Sequence, residues 1–370
     1  MANPLAKVLV KGFFYINEFL RKQSMKAALL KSPGQLVITQ VPTPEPPAAG
    51  LLVKVEACSI CATDIKMFRY GQRDLIYPRI LGHEVAGVVI ETGTGNVPFR
   101  SEDRVQIAPG ISCGKCPACQ QGAPNQCDHI GILGFTHHGG FAQYLAVPAE
   151  SVACGAVNLI PAGLSFMEAT FAEPLACCLN GQERVRLDSK DAVLILGAGP
   201  IGCLHTMLAR AKGARRILLA ERSLKRIRMA AAAEPSRLVD VSKENLKEVV
   251  RKETEGRGVD VIMLACSESA IEYPILELLA PRGRVCFFSG LPSEKSQLHF
   301  DANFLHYHEI TFVGAYGCTS DQNRMALELM ASGQVNVNCL ATKRIPLEAI
   351  HEGIDYLTEH RGMKVVVTEF

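Results

Sequence analysis

Short apolar or alternating runs extend from residue 25 to about 147, as in Leu51-Leu52-Val53-Lys54-Val55 and Glu84-Val85-Ala86-Gly87-Val88-Val89-Ile90, with Pro and Gly clusters between them. Runs of this length, punctuated this way, predict an irregular β domain. From about residue 174 to 316 the pattern changes, and apolar runs at 193–196, 216–220, 259–262 and 284–288 alternate with helical stretches. That alternation predicts a parallel, doubly wound sheet. Beyond Tyr316 the spacing predicts helices around 322–331 and 347–358 and a closing strand at 364–368.

Length and composition narrow the class. A chain of 370 residues suits two domains, each able to bury its own core. With 48% hydrophobic and 21% charged residues it reads as a soluble globular protein, not a disordered one. A formal net charge of +2 and no long Lys/Arg run argue against nucleic acid as a partner. No stretch approaches the ~20 apolar residues of a membrane span. Fourteen unevenly spaced cysteines fit thiols and metal ligands in a reducing compartment better than a disulfide scaffold, so the expected location is cytoplasmic. Residues 1–24 carry Lys7, Lys11, Arg21 and Lys22, and Lys11 and Asn17-Glu18 break their apolar stretch, a poor fit to a secretory signal. They read as an N-terminal extension, an artefact or weakly ordered, with the fold starting at Met25.

Chemistry enters with the cysteines. Cys113, Cys116, Cys119 and Cys127 are spaced C-x2-C-x2-C-x7-C, and four thiolates on one compact loop suit a closed, structural zinc shell. The rivals are an iron–sulfur cluster, whose last spacing is shorter and ends in Cys-Pro where Asp128 stands here, and unligated thiols, which at this density would oxidise. The segment Gly197-Ala198-Gly199-Pro200-Ile201-Gly202 follows an apolar strand and opens a helix-forming run, 203–212. Its glycines let a pyrophosphate approach the helix N-terminus. Glu221, ending the next strand, is placed to accept an adenosine ribose and to repel a 2′-phosphate, so NAD is expected over NADP. Arg222, Ser223, Lys225 and Arg226 follow, and turned inward they would bind that phosphate instead. Three further pieces are bland singly: Cys61-Ala-Thr63-Asp64, Gly82-His83-Glu84 and Glu173-Pro174. Together they hold sulfur, nitrogen and oxygen ligands of the kinds a catalytic zinc takes while keeping one position open.

In this order, and with Gly139-Gly-Phe-Ala-Gln-Tyr144 between the lobe and Glu173, the motifs carry a resemblance. From Met25 to the C-terminus the chain resembles the zinc-containing medium-chain dehydrogenases, within them the polyol (sorbitol) and threonine dehydrogenase branch. The resemblance implies an α/β fold in which a Rossmann doubly wound parallel sheet, residues 176–316, is inserted in a GroES-like irregular β-barrel catalytic domain. That domain would comprise 25–175 and 317–370, with the zinc lobe at 109–130. It implies two zinc ions per chain, NAD, and a homodimer or homotetramer. Cys61 and His83 would ligate the catalytic zinc, Glu84 would be a direct or exchangeable ligand, and Glu173 would ligate zinc or hold its water. Thr63 matches the hydroxyl that relays the substrate proton.

The chain departs from the pattern in two places. Lys66 stands where relatives often carry a His that continues the relay, and Val313-Gly-Ala-Tyr316-Gly-Cys318 replaces the run that in sorbitol dehydrogenases leads to an Arg-Tyr pair. The expected reaction is reversible hydride transfer from a secondary alcohol of a polyol or sugar-like substrate. The enzyme alternatives are a threonine 3-dehydrogenase and a sugar-acid or sugar-phosphate dehydrogenase; Lys66, Arg69 and Arg73 near Cys61 keep an acidic substrate in view. The alternative outside enzymes is a zinc-ribbon binding protein with a ligand-sensing Rossmann domain. The remaining cysteines, Cys177 and Cys318 among them, read as ordinary small side chains.

Overall fold

A computed structural model describes residues 24–266, 274–291 and 295–370. Apart from Ser24, the segment read as an N-terminal extension lies outside the described residues.

The first half supplies β1 (Ser24–Ser32), β2 (Gln35–Pro42), β3 (Leu51–Ile60), β4 (Arg79–Ile80), β5 (Glu84–Thr92), β6 (Arg104–Ile107), β7 (Gly110–Ile111), β8 (Gly131–Ile132), β9 (Tyr144–Val147) and β10 (Val157–Leu159). The middle supplies β11 (Ala192–Leu196), β12 (Arg216–Glu221), β13 (Arg237–Asp240), β14 (Val259–Leu264), β15 (Leu279–Phe287) and β16 (Thr311–Gly314); β17 (Ala341–Pro346) and β18 (Lys364–Glu369) close the chain. One sheet runs β10-β6-β5-β3-β18-β17 with β9 beside β3, and a smaller one runs β2-β1-β4. The C-terminal strand β18 therefore lies antiparallel to β3, pairing Val365 with Ile60, so the two ends of the chain share one sheet.

The middle strands form a parallel sheet, β13-β12-β11-β14-β15-β16. Period-2 alternation divides its apolar side chains between two faces. Val193, Ile195, Ile217, Leu219, Val261 and Met263 pack into one core, and Leu194, Leu196, Leu218, Ala220, Ile262 and Leu264 into the other. Helices cover both faces, so β11 and β14 are buried throughout and read as continuous apolar runs. The chain leaves β11 first towards β12 and later returns on its other side as β14. A crevice therefore opens beyond the carboxyl ends of β11 and β14, where such sheets bind ligands.

Strands β13 and β16 carry no continuous apolar run and were not among the strands expected. Both are sheet edges, and an edge strand keeps less buried surface to mark it. The helix after β11 starts at Pro200, earlier than the run at 203–212, because proline suits the first turn. Helix Ala172–Arg184 joins the two halves: it packs on helices Pro200–Ala211 and Ser320–Ala331, and its Glu183 accepts from Gln322 Nε2 at 2.6 Å.

Candidate active site

Cys61 directly follows β3 and caps helix Ala62–Tyr70, while His83 precedes and Glu84 opens β5, the strand beside β3. Sheet pairing thus carries two segments distant in sequence to one point. A sulfur of Cys61, a ring nitrogen of His83 and a carboxylate oxygen of Glu84 lie within 4.8 Å of one another. Asp64 holds Cys61 and His83 there. Its buried carboxylate accepts from the Cys61 amide at 2.9 Å, the Gly82 amide at 3.2 Å and His83 Nδ1 at 3.2 Å. With Nδ1 engaged, Nε2 is left to act as ligand, the usual carboxylate–histidine arrangement of metal sites. Burial alone lowers the His83 pKa, but the charge and hydrogen bond of Asp64 outweigh it and hold the ring well above its ordinary value. The sequence displayed Asp64 in the same segment as Cys61 and Thr63; its positioning role depended on contacts across 19 residues and had no local signal.

Glu84 is fully buried, and both its oxygens are engaged: one pairs with Lys364 of β18, the other accepts from Ser59 of β3. Burial disfavours the Lys364 ammonium, yet Glu84 first, then Cys61 and Glu173, raise its pKa above the ordinary lysine value. Glu173 opens helix Ala172–Arg184. Burial pushes its carboxyl up, with His83 and Lys364 opposing and Glu84 adding to the rise, so it lies within the electrostatic reach of the Cys61 group. Its Oε1 accepts from Cys177 Sγ at 3.3 Å, and its ligand atom clusters with those of Cys177 and Cys318. Thr63 sits partly exposed in the first turn of the Cys61 helix, and Lys66 one turn on is exposed to solvent. Arg69 donates to Thr358 and Arg73 pairs with its neighbour Asp74. His138 Nδ1 accepts from the Ile80 amide at 3.2 Å.

The lobe brings Cys113, Cys116, Cys119 and Cys127 together, all within 4.8 Å and none in a disulfide. The sulfur of Cys116 lies 3.5 Å from that of Cys119 and 3.8 Å from that of Cys127. A zinc tetrahedron with Zn–S near 2.3 Å has edges of about 3.8 Å, so the set fits that ion. Backbone amides of Cys113 and His129 point at Cys127 Sγ, and amides of Cys119 and Asp128 hold the Cys116 thiol down to about 6. Amides aimed at sulfur favour thiolate, the form that binds metal.

At the carboxyl end of β11 the glycines form a tight turn. Gly197 has φ +102°, and a Cβ on Gly202 would stand 1.8 Å from the Gly197 carbonyl. Gly199 precedes Pro200, and Ile201 sits in the first turn of the helix. Glu221 is buried and accepts from the amides of Ala198 at 3.0 Å, Arg222 at 2.8 Å and Ser223 at 2.9 Å. It therefore ties the glycine loop to the end of β12. Arg226 approaches, at 4.0 Å, the oxygen that accepts from Ala198, and also meets His360 Nδ1 at 2.9 Å. Each carboxylate oxygen offers two lone pairs, which leaves capacity for a ribose hydroxyl.

Known proteins agree with this anatomy. Residues 47–156 match the alcohol dehydrogenase GroES-like domain, and residues 200–332 match the zinc-binding dehydrogenase family. The L-galactonate-5-dehydrogenase of Escherichia coli is 28% identical over 93% of this chain and 99% of its own length. The sorbitol dehydrogenase of Bacillus subtilis is 28% identical over 93% of this chain and 97% of its own. A zinc-binding dehydrogenase of Sinorhizobium meliloti 1021, solved bound to NADP, superposes with a TM-score of 0.86 at 31% identity, covering 94% of this chain and all of that one. The protein is a zinc-dependent alcohol oxidoreductase that uses a nicotinamide cofactor, and the chain belongs to the zinc-containing medium-chain dehydrogenase family, in its polyol and threonine dehydrogenase branch.

Proposed function

We propose that this enzyme oxidises, reversibly, a secondary alcohol of a polyol or sugar-like substrate with NAD, holding one catalytic and one structural zinc per chain. The observation that carries the reading is the Cys61–His83–Glu84 group held by Asp64. Cys61 and His83 are the ligands for the catalytic ion; the oxygen ligand comes from Glu84 or Glu173. A zinc held there would supply Lewis acidity to the substrate hydroxyl, and a cofactor held at the glycine turn would supply the hydride acceptor. The protein's own groups do the rest. Asp64 fixes the His83 ring, and the pairing of Glu84 with Lys364 keeps a buried carboxylate from standing uncompensated. Thr63 takes the hydroxyl proton towards solvent. Lys66, being exposed, meets water at that end of the path.

The glycine turn seats the pyrophosphate, and Glu221 accepts the ribose and disfavours a 2′-phosphate, with Arg222 and Arg226 beside it. The L-galactonate and sorbitol relatives support a polyhydroxylated substrate. The separation of the two large sheets supports domain limits near 25–175 with 317–370, and 176–316. The open edge at β16 supports a homodimer or homotetramer, since unpaired backbone groups invite a second copy. Free thiols support a cytoplasmic setting. Among the described residues no helix is long and apolar enough to cross a membrane.

The test is metal analysis joined to a screen of polyols, sugar acids and amino alcohols with NAD and NADP. The zinc-replete protein is expected to reduce NAD with at least one polyol or sugar acid, and Cys61→Ser to lose about one zinc per chain together with that activity. Failure with every secondary alcohol, or full zinc in Cys61→Ser, overturns the reading.

A further inference from the structure

A second group of ligand-type side chains adjoins the Cys61 site. Residues four apart share a helix face, so helix Ala172–Arg184 sets Cys177 one turn beyond Glu173, with Cys177 Sγ 3.3 Å from Glu173 Oε1. The chain returns to this spot after β16. There Asn180 of the same helix donates to the carbonyls of Tyr316 at 3.4 Å and Gly317 at 2.9 Å, and Asn125 of the cysteine lobe donates to the Tyr316 carbonyl at 2.8 Å. Gly317 turns with φ +60°, and the next residue brings in the thiol of Cys318. The ligand atoms of Glu173, Cys177 and Cys318 all lie within 4.8 Å of one another. Each side chain is partly buried, and neither cysteine forms a disulfide.

Hydride transfer needs no thiol here, and apolar packing gives no reason to bring two thiols against a carboxylate. Two sulfurs and one oxygen from two separate segments, the second clamped by two asparagines, are the donors of a thiophilic divalent cation. A tetrahedral zinc would need sulfur–oxygen separations of about 3.6 Å and a sulfur–sulfur separation of about 3.8 Å, with water in the fourth place. Cys177 Sγ and Glu173 Oε1, at 3.3 Å, lie close to the sulfur–oxygen value, and all three ligand atoms fall within 4.8 Å of one another.

We propose that Glu173, Cys177 and Cys318 form a further metal position, apart from the four-cysteine lobe and from the Cys61–His83–Glu84 group, that takes zinc or a similarly thiophilic ion. The site stands on these three residues. Its effect on activity rests on the functional reading above: a cation here holds Glu173 away from the catalytic ion, so excess zinc inhibits.

The experiment is equilibrium dialysis of the full chain against zinc alone, with elemental analysis and proton release measured on binding. Wild type is expected to take up about one zinc per chain more than either Cys177→Ser or Cys318→Ser, with proton release from the thiols. Cys339→Ser, a change at an exposed thiol elsewhere, keeps the wild-type count. Cys61→Ser keeps the Cys318-dependent zinc, and that result separates this proposal from the catalytic one. Circular dichroism and NAD binding establish that each variant is folded. Equal zinc uptake by wild type and both folded serine variants overturns the proposal. So does a Cys318-dependent zinc that disappears in Cys61→Ser, because the thiols would then belong to the catalytic ion. Activity at rising zinc is the second readout, and inhibition is expected in wild type and absent in Cys318→Ser.

Discussion

Replacing Asp64 with asparagine preserves the shape of a side chain that is only 2% exposed and removes its charge. The carboxylate serves three donors: the Cys61 amide on one oxygen, the Gly82 amide and His83 Nδ1 on the other. An asparagine has one acceptor oxygen, so its NH2 must face either the Cys61 amide or the pair at Gly82 and His83. A donor set against a buried donor costs ~1–3 kcal/mol. Loss of the carboxylate partner of a metal-binding histidine costs a further ~10–100-fold in metal affinity, which is about 1.4–2.8 kcal/mol. Asp64→Asn is therefore expected to raise the dissociation constant of the Cys61–His83 zinc by ~10–100-fold and to leave the lobe zinc unchanged. Competition with a chelating dye resolves the two classes, with Cys61→Ser marking which class is lost. A folded Asp64→Asn enzyme with unchanged zinc affinity and turnover would reduce Asp64 to a helix cap for Cys61 and refute the positioning argument.

Three further outcomes are expected. Burial, and then the charge of Lys212, hold the His205 pKa down to about 3, so below its unfolded value near 6.5 the unfolded chain binds a proton that the folded one refuses. Stability from this group is intact above that value and falls with pH towards about 3, by about 2 kcal/mol at pH 5. Urea unfolding of His205→Gln should accordingly lose about that much less between pH 7.5 and 5, and parallel pH profiles for the two proteins would exclude the assignment. Glu221→Gln is expected to narrow the preference for NAD over NADP by ~10–100-fold, the worth of a charge-assisted hydrogen bond, in kcat/KM for both cofactors; an NADP-preferring wild type would hand the choice to Arg222 and Arg226. Thr63→Val should cut turnover by ~100-fold or more at unchanged zinc content, and wild-type turnover under conditions where a deuterium isotope effect shows hydride transfer to be limiting would remove Thr63 from the proton path.

Much of this was legible in residue order alone. Spacing singled out the four lobe cysteines because four thiols within 15 residues leave few other roles, and the glycine turn because it follows an apolar strand and opens a helical run; that Gly202 has no room for a side chain beside the Gly197 carbonyl shows only in the fold. Periodicity predicted the doubly wound sheet because strands buried on both faces must be apolar throughout. It passed over β13 and β16, whose edge positions relax that demand.

Other features became visible only once the chain was folded. Asp64 on His83, Lys364 on Glu84 and the Ala198 amide on Glu221 are pairings between segments that only the sheets bring together. Cys177 and Cys318, unremarkable in the sequence, meet at Glu173 because Asn180 and Asn125 anchor the turn after β16. A motif is readable when its ligands are neighbours in the chain. Where they arrive from opposite ends of it, what joins them is strand register and helix packing, properties of the whole fold that no local stretch of residues encodes.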